Sequence, residues 1–355
     1  MYFGMFSLPI QKSSIKSGRL CDMEHSLISI IIPAYNVGKY IAACLDSLYA
    51  QTHQNFEIIV AYDEKSTDNT LEVLQSYAAE KDNLIIDIGI DKGSGDARNR
   101  GFRLAKGDFI LFVDGDDEVT TDYLSTMLSV FEQHPELNVV LCNYLRLNED
   151  EVQEGFEKAN ASVNEVTLIP RDEMLYRKLW HEVSSAPWSY LIRREYLMKN
   201  NIVFPPYSHA DDSLFTYKLT VNSEHIGYCS KILYLFIQHD TSITHVLPDY
   251  WWRKYEPFAR DMVAYFSEKD ASFAVDFERN IYRILAYMSA RRLSYKDFLA
   301  EMNHFGVKKL ANMKHNDRFF VQCSAWCFNV SKRLYWCMVR LMNSMINKFS
   351  PLTQR

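Results

Sequence analysis

Over the first hundred or so residues, short apolar runs alternate with stretches of helical spacing. Ile28 to Ile32 is β-branched and apolar throughout, as expected of a strand buried on both faces, and Pro33 ends it. From Tyr40 to Tyr49, Ile41, Leu45 and Leu48 fall on one side of a helix. Phe56 to Ala61 reads as a second strand, Thr70 to Ala79 as a helix, and Leu84 to Ile90 as a third strand. Ala97 to Ala105 reads as a helix and Phe109 to Val113 as a fourth strand. This alternation predicts βαβ units with right-handed crossovers, an α/β fold with a mostly parallel sheet flanked by helices. After Val139 to Leu147, the acidic stretch from Asn148 to Asn164 is expected to be a surface loop. Irregular pieces follow from Pro170 to His245, and the chain is largely helical from Asp249 onward.

Composition narrows the class. The 355 residues suggest about two domains, and 48% hydrophobic residues supply a sizeable core. A net charge of -6 and a pI near 6.0 argue against a dedicated nucleic-acid binder. Seven cysteines, scattered and odd in number, form no disulfide framework and are expected to be reduced thiols. The apolar start of residues 1–26 is too short for a secretory core. No window has the roughly 18 uninterrupted apolar residues of a spanning helix, so a cytoplasmic protein is expected.

In parallel α/β sheets the ligand crevice lies beyond the carboxyl ends of the strands, so the tips carry the chemistry. They read Pro33-Ala34-Tyr35-Asn36, Asp63 to Thr70, Lys92 to Gly101, and Asp114-Gly115-Asp116-Asp117. Two carboxylates one residue apart after an apolar strand can converge on Mg²⁺ or Mn²⁺, which prefer oxygen ligands. Gly115 permits a tight turn and close approach of a ligand; the plainer alternative is an acidic turn capping a helix. Asp63 can accept a hydrogen bond from a uracil N–H, or simply close a turn. Ser66-Thr67-Asp68 is expected to cap the next helix. Gly93 and Gly95 at a helix start suggest a nearby phosphate, whereas Arg98 could equally pair with acids at the sheet edge.

The ordered set IIPAYN, DEKSTDNT, GSGDARNRG and KGDFILFVDGDD resembles the family 2 glycosyltransferases of the GT-A fold. The likeness is good over residues 27 to 145 and looser from Trp188 to Thr244. It implies a GT-A unit over 27–245, with a nucleotide-sugar half (27–147) and an acceptor-side half (165–245). An N-terminal extension (1–26) precedes it and a helical C-terminal region (246–355) follows. The implied reaction moves a sugar, with inversion, from a nucleotide-diphosphate donor such as a UDP-sugar to a hydroxyl of a glycan or lipid-linked acceptor. Carried over by position, Pro33, Tyr35, Asn36, Asp63, Asp96, Arg98, Asp114 and Gly115 are donor-side residues. Asp114 and Asp116 hold the divalent metal, Mn²⁺ or Mg²⁺. Trp188 and Asp211 lie on the acceptor side, with Arg193 and Arg194 near Trp188, and Asp212 is the catalytic base. Gln238, Ser242, Ile243 and Thr244 match a later pattern. Departures are Lys65 for a usual Gly, Gly95 for a frequent Ser, Asp211 for Glu and Ile237 for Arg; none removes a group the chemistry requires.

A carboxylate is needed because a sugar hydroxyl is a poor nucleophile, and a cation because negative charge grows on the leaving diphosphate. Asp212 could instead serve the dipole of a helix start. His209 and His239 are read as structural and left out of the metal site. Phe319 to Phe349 mixes Trp326, Leu334, Tyr335, Trp336 and Leu341 with Lys332, Arg333, Arg340 and Lys348. Such a helix suits either an anionic membrane surface or packing on the rest of the chain. Trp251 and Trp252 could pack in a core or stack on sugar. A sugar nucleotidyltransferase is disfavoured by the lack of a Gly-rich basic loop after the first strand. A member that binds nucleotide or glycan without turnover is disfavoured by the intact acids.

Overall fold

The computed structural model describes residues 25–206, 211–239, 256–310 and 319–349. His209, Ser242, Ile243, Thr244, Trp251, Trp252 and nearly all of the N-terminal extension lie outside them.

The N-terminal half alternates as its periodicity predicts: β1 (Ile28–Ala34), α1 (Ile41–Tyr49), β2 (Phe56–Asp63), α2 (Thr70–Ala78), β3 (Leu84–Gly89), α3 (Ser94–Leu104) and β4 (Phe109–Phe112). There follow β5 (Glu118–Val119), α4 (Tyr123–Gln133), β6 (Val139–Asn148), α5 (Val152–Asn160), β7 (Val166–Pro170), α6 (Arg171–Leu179), β8 (Tyr190–Arg193), α7 (Arg194–Lys199), α8 (Asp211–Val221) and β9 (His225–Gln238). Among the described residues nine strands make one sheet, ordered β3-β2-β1-β4-β8-β6-β9-β5 with β7 also on β9. Strands β1 to β4 pair in parallel, and β8 enters antiparallel between β4 and β6.

Both faces of the parallel half are covered, which is why β1 and β2 read as continuous apolar runs. Ile30, Ile32, Ile58 and Val60 pack in one layer with Leu45 and Leu48 of α1. Ile31 and Ile59 face the other layer with Ile110 and Phe112. The polar interruption at Ser29 is satisfied: its hydroxyl donates to Glu57 Oε1 at 2.6 Å and accepts from Gly107 N at 2.8 Å.

The stretch 148–164 is not the loop its acidity suggested. Asn148 and Glu151 form a capping box over a 3₁₀ turn, and α5 follows. Phe156 and Ala159 pack on Leu147 and Leu235, and at Gly155 a Cβ would stand 2.3 Å from Leu147 Cδ1. Small residues on the buried face hid the helix from hydrophobic periodicity.

Beyond β9 come α9 (Glu256–Lys269), α10 (Ala271–Arg292), α11 (Tyr295–His304), α12 (Phe319–Val330) and α13 (Lys332–Phe349). Helices α9 and α10 pack on α6 and α8 through Leu179, Leu214, Tyr217, Phe266 and Phe277. The far half of α10 carries α11 to α13 through Ala286, Ala290, Phe298, Phe328 and Tyr335. The single amphipathic helix expected over 319–349 is therefore two, broken at Ser331. One side packs on the chain, while Trp326, Val330, Leu334 and Leu341 stay exposed on the other. No helix among the described residues is long and apolar enough to cross a membrane.

Candidate active site

Arg98 of α3 joins the tip of β4 to the start of α8. Arg98 is 2% exposed. Its Nη2 donates to Asp114 Oδ1 at 2.6 Å and its Nη1 to Asp212 Oδ1 at 2.7 Å. Acids from the end of β4 and the start of α8 are thereby held on one guanidinium, although they lie 98 residues apart in the chain (212 less 114). Arg98 thus pairs with acids, one of the two alternatives left open by the sequence.

Burial raises Asp212 to about 7; Arg98 opposes this, while Asp211 and Asp114 push the same way. The side chain keeps 38% of its surface open, so protein packs around the carboxyl while one side stays reachable from the cleft. Burial, then the charge of Asp114, raises Asp116 to about 6. Asp211, the residue before Asp212, is buried and also raised, first by burial. A Cβ at Gly95 would stand 2.6 Å from Asp211 Oδ2 and 3.1 Å from Phe204 Cβ. The glycine in place of Ser makes room for that acid.

Asp117, the acid after the D-x-D triplet, ties the site to β9. It is buried and accepts from Tyr234 Oη at 2.7 Å and from Ile237 N at 2.8 Å. Tyr234 Oη in turn accepts from Asp114 N at 3.1 Å. Trp188 stacks on Tyr234 with centroids 4.2 Å apart and 9° between planes. It also lines a cavity of about 360 Å³ with Tyr144, Phe236, Asn143, Arg146 and Glu182.

The first two tips are clasped together. Asn36, at φ 53°, accepts from Thr67 N at 2.8 Å and donates its own N–H to Ser66 Oγ at 3.2 Å. Asp68 accepts from Gly38 N at 2.8 Å and Thr70 N at 3.2 Å. The N-cap position of α2 is Asn69, with no side-chain cap. Tyr35 is exposed and Pro33 half-buried at the β1 tip, while Asp63 accepts from Lys65 N at 3.0 Å. Asp96 accepts from Lys92 N and closes its own loop. Gly115 packs downward: an added Cβ would lie 3.1 Å from Ile41 and 3.3 Å from Val37. His239 has its two nitrogens on Glu149 and the Asp116 carbonyl and stacks on Tyr40 at 3.8 Å, a structural role.

Three features escaped the sequence reading. Arg100 binds Asp87 and Asp91, knitting the end of β3 to α3. Asn99 exchanges two 2.9 Å hydrogen bonds with the Phe204 backbone. Asp117 serves β9. The only available signal was the run A-R-N-R-G, whose polar residues are too many for a solvated helix face.

The sequence profile described as Glycosyl transferase family 2 matches residues 29–200. The glycosyltransferase GlyG of Streptococcus pneumoniae is 30% identical over 251 residues, covering 68% of this chain and 79% of GlyG. The chain belongs to glycosyltransferase family 2. EpsH of Bacillus subtilis, named a glycosyltransferase, is 29% identical over 224 residues, and the match spans 62% of this chain and 63% of EpsH. Residues 1–349 of Staphylococcus aureus TarS, solved with UDP-GlcNAc, superpose with a TM-score of 0.65 at 20% identity. The superposition covers 90% of this chain and 91% of that one, so this family member has the GT-A fold.

Proposed function

We propose that this chain moves a hexosyl or N-acetylhexosaminyl group, with inversion, from a UDP-sugar to a hydroxyl of a glycan or lipid-linked acceptor in surface-polysaccharide assembly. The observation that carries the reading is the pairing of Asp114 and Asp212 on Arg98, which joins the donor-side and acceptor-side acids in one cleft. Support for the donor comes from TarS, solved with UDP-GlcNAc, and from the name of that relative, a poly(ribitol-phosphate) β-N-acetylglucosaminyltransferase.

In this reading Asp212 takes the proton of the acceptor hydroxyl as that oxygen bonds to the anomeric carbon. The sugar–diphosphate bond breaks on the opposite face, which inverts the centre. A carboxyl near 7 suits a base working near neutrality. Arg98 positions Asp212 and Asp114 and offsets their mutual repulsion. Pro33, Tyr35, Asn36, Asp63, Asp96 and Gly115 form the nucleotide side, and the cavity beside Trp188 takes the acceptor, with Asp211 packed next to Asp212. A metal fits the remaining acids. Asp116 is pushed up by burial and then by the charge of Asp114, and two neighbouring carboxylates are a donor set that Mg²⁺ or Mn²⁺ shares with a substrate diphosphate and water. The described residues contain no group of three or more His, Cys, Asp or Glu able to hold a cation unaided. When bound, the cation supplies charge to the departing diphosphate. A peripheral place at the inner face of the cell membrane agrees with the exposed apolar residues of α12 and α13.

The test is nucleoside-diphosphate release from a panel of nucleotide sugars, with Mn²⁺ or with chelator. Metal-dependent UDP release from one donor is expected. Pyrophosphate release from a nucleoside triphosphate plus a sugar phosphate would replace the reading with nucleotidyl transfer, and UDP binding without release from any donor would remove the catalytic claim.

A further inference from the structure

Between the α/β part and the C-terminal helices lies a second cavity of about 680 Å³, within the range of small-molecule sites. Helices α6 and α8 form one wall, α10 and α13 the other. Phe258, Phe277, Ile284, Met288 and Met338 make much of its surface apolar. Two cations, Lys178 and Arg283, also line it, and its described lining contains no Asp or Glu. Lys178 is fully buried, and its ammonium bonds are to neutral groups: Tyr190 Oη at 2.7 Å and the Ser184 carbonyl at 3.4 Å. Its Nζ also lies over the Tyr190 and Tyr217 rings. A buried cation without an acid is costly, and burial lowers Lys178 to about 7. An apolar chamber of this kind matches a guest with an apolar chain and one anionic group.

Position links the chamber to the active site. Ser213, beside Asp212, lines it, and His181 and Ser185 line both this cavity and the one beside Trp188. Helix α13 supplies inner residues Tyr335, Met338, Val339 and Met342, while Leu334 and Leu341 point outward and are exposed. No acid occurs from Phe319 to Phe349, and Arg333 and Arg340 are exposed there. A basic, apolar-studded outer face next to an apolar interior suits a guest drawn from an anionic lipid surface.

We propose that this chamber holds the chain and phosphate of a lipid-phosphate-linked acceptor, with the saccharide lying in the adjoining cavity beside Trp188. The inference rests on the glycosyltransferase reading and narrows its acceptor class. It is tested by calorimetric titration of the full chain with octyl, decyl and dodecyl phosphate below their micelle concentrations, with UDP titrated in parallel.

Each added methylene is expected to tighten binding about fourfold. Lys178→Met combined with Arg283→Gln should weaken dodecyl phosphate at least tenfold while leaving dodecyl maltoside unchanged. Met288→Trp, which fills the chamber, should weaken both, and UDP affinity should stay constant throughout. Binding that ignores chain length, or inorganic phosphate competing as well as dodecyl phosphate, overturns the proposal in favour of a free-phosphate site. Intact UDP binding with no alkyl phosphate binding overturns it alone, whereas loss of UDP binding in the unaltered protein strikes the donor reading. Circular dichroism of each variant identifies any that fails to fold, and the chain-length series on the unaltered protein needs no variant.

Discussion

Replacing Arg98 by methionine would leave Asp114, Asp211 and Asp212 crowded around an uncompensated, desolvated position. Removing one partner of a buried ion pair costs several times more than the pair contributes. Arg98→Met is therefore expected to lower unfolding stability by about 3 kcal/mol, read as a lower urea midpoint; an unchanged midpoint would mean the acids simply take up protons. Lys178 gives a second residue-scale expectation. It sits near 7 in the folded chain and ordinarily at 10.5, so between these values unfolding takes up a proton. Stability from this group therefore rises with pH across that window, by up to about 1.4 kcal/mol per pH unit. The denaturant midpoint of the unaltered chain should rise relative to that of Lys178→Met as pH increases across the window. At this scale Asp114, Asp116 and Asp212 were legible as candidates because each follows a strand tip or matches a family motif. The pairing role of Arg98 was not decidable, since its partners come from distant segments and only the folded chain brings them together.

At the scale of elements, packing accounts for what periodicity predicted and what it missed. Strands β1 to β4 were legible because burial on both faces leaves uninterrupted apolar runs. Helix α5 was missed because Gly155 and Ala159 make its buried face, and most of the rest is polar. Close helix–strand contact recurs at Gly101, where a Cβ would lie 2.5 Å from Ile31 Cγ2. Gly101→Ala should force α3 away from β1, costing on the order of 1 to 3 kcal/mol, and should also weaken UDP binding because α3 carries Asp96 and Arg98. If stability falls and UDP affinity does not, α3 does not set the donor site. The stretch 319–349 was legible as helical but not as two helices, and the sequence alone could not say which side packs, since aromatic residues serve both.

For the whole molecule, the chain order explains the reach of the sequence. The first 145 residues carry four motifs at strand ends, so the fold and the candidate donor residues can be read together. The second half adds an antiparallel strand between β4 and β6 and delivers Asp212 from a helix start, contacts with no local signature. The helices after β9 then enclose a chamber with residues from both parts of the chain. The central claim is that Asp212, carried in from the second half, removes the acceptor proton at a donor site built by the first. The most direct test compares Asp212→Asn with the unaltered protein for transfer from the active UDP-sugar and, separately, for UDP affinity. Transfer is expected to fall on the order of a hundredfold to ten-thousandfold with UDP affinity nearly intact; normal turnover by Asp212→Asn would contradict the account.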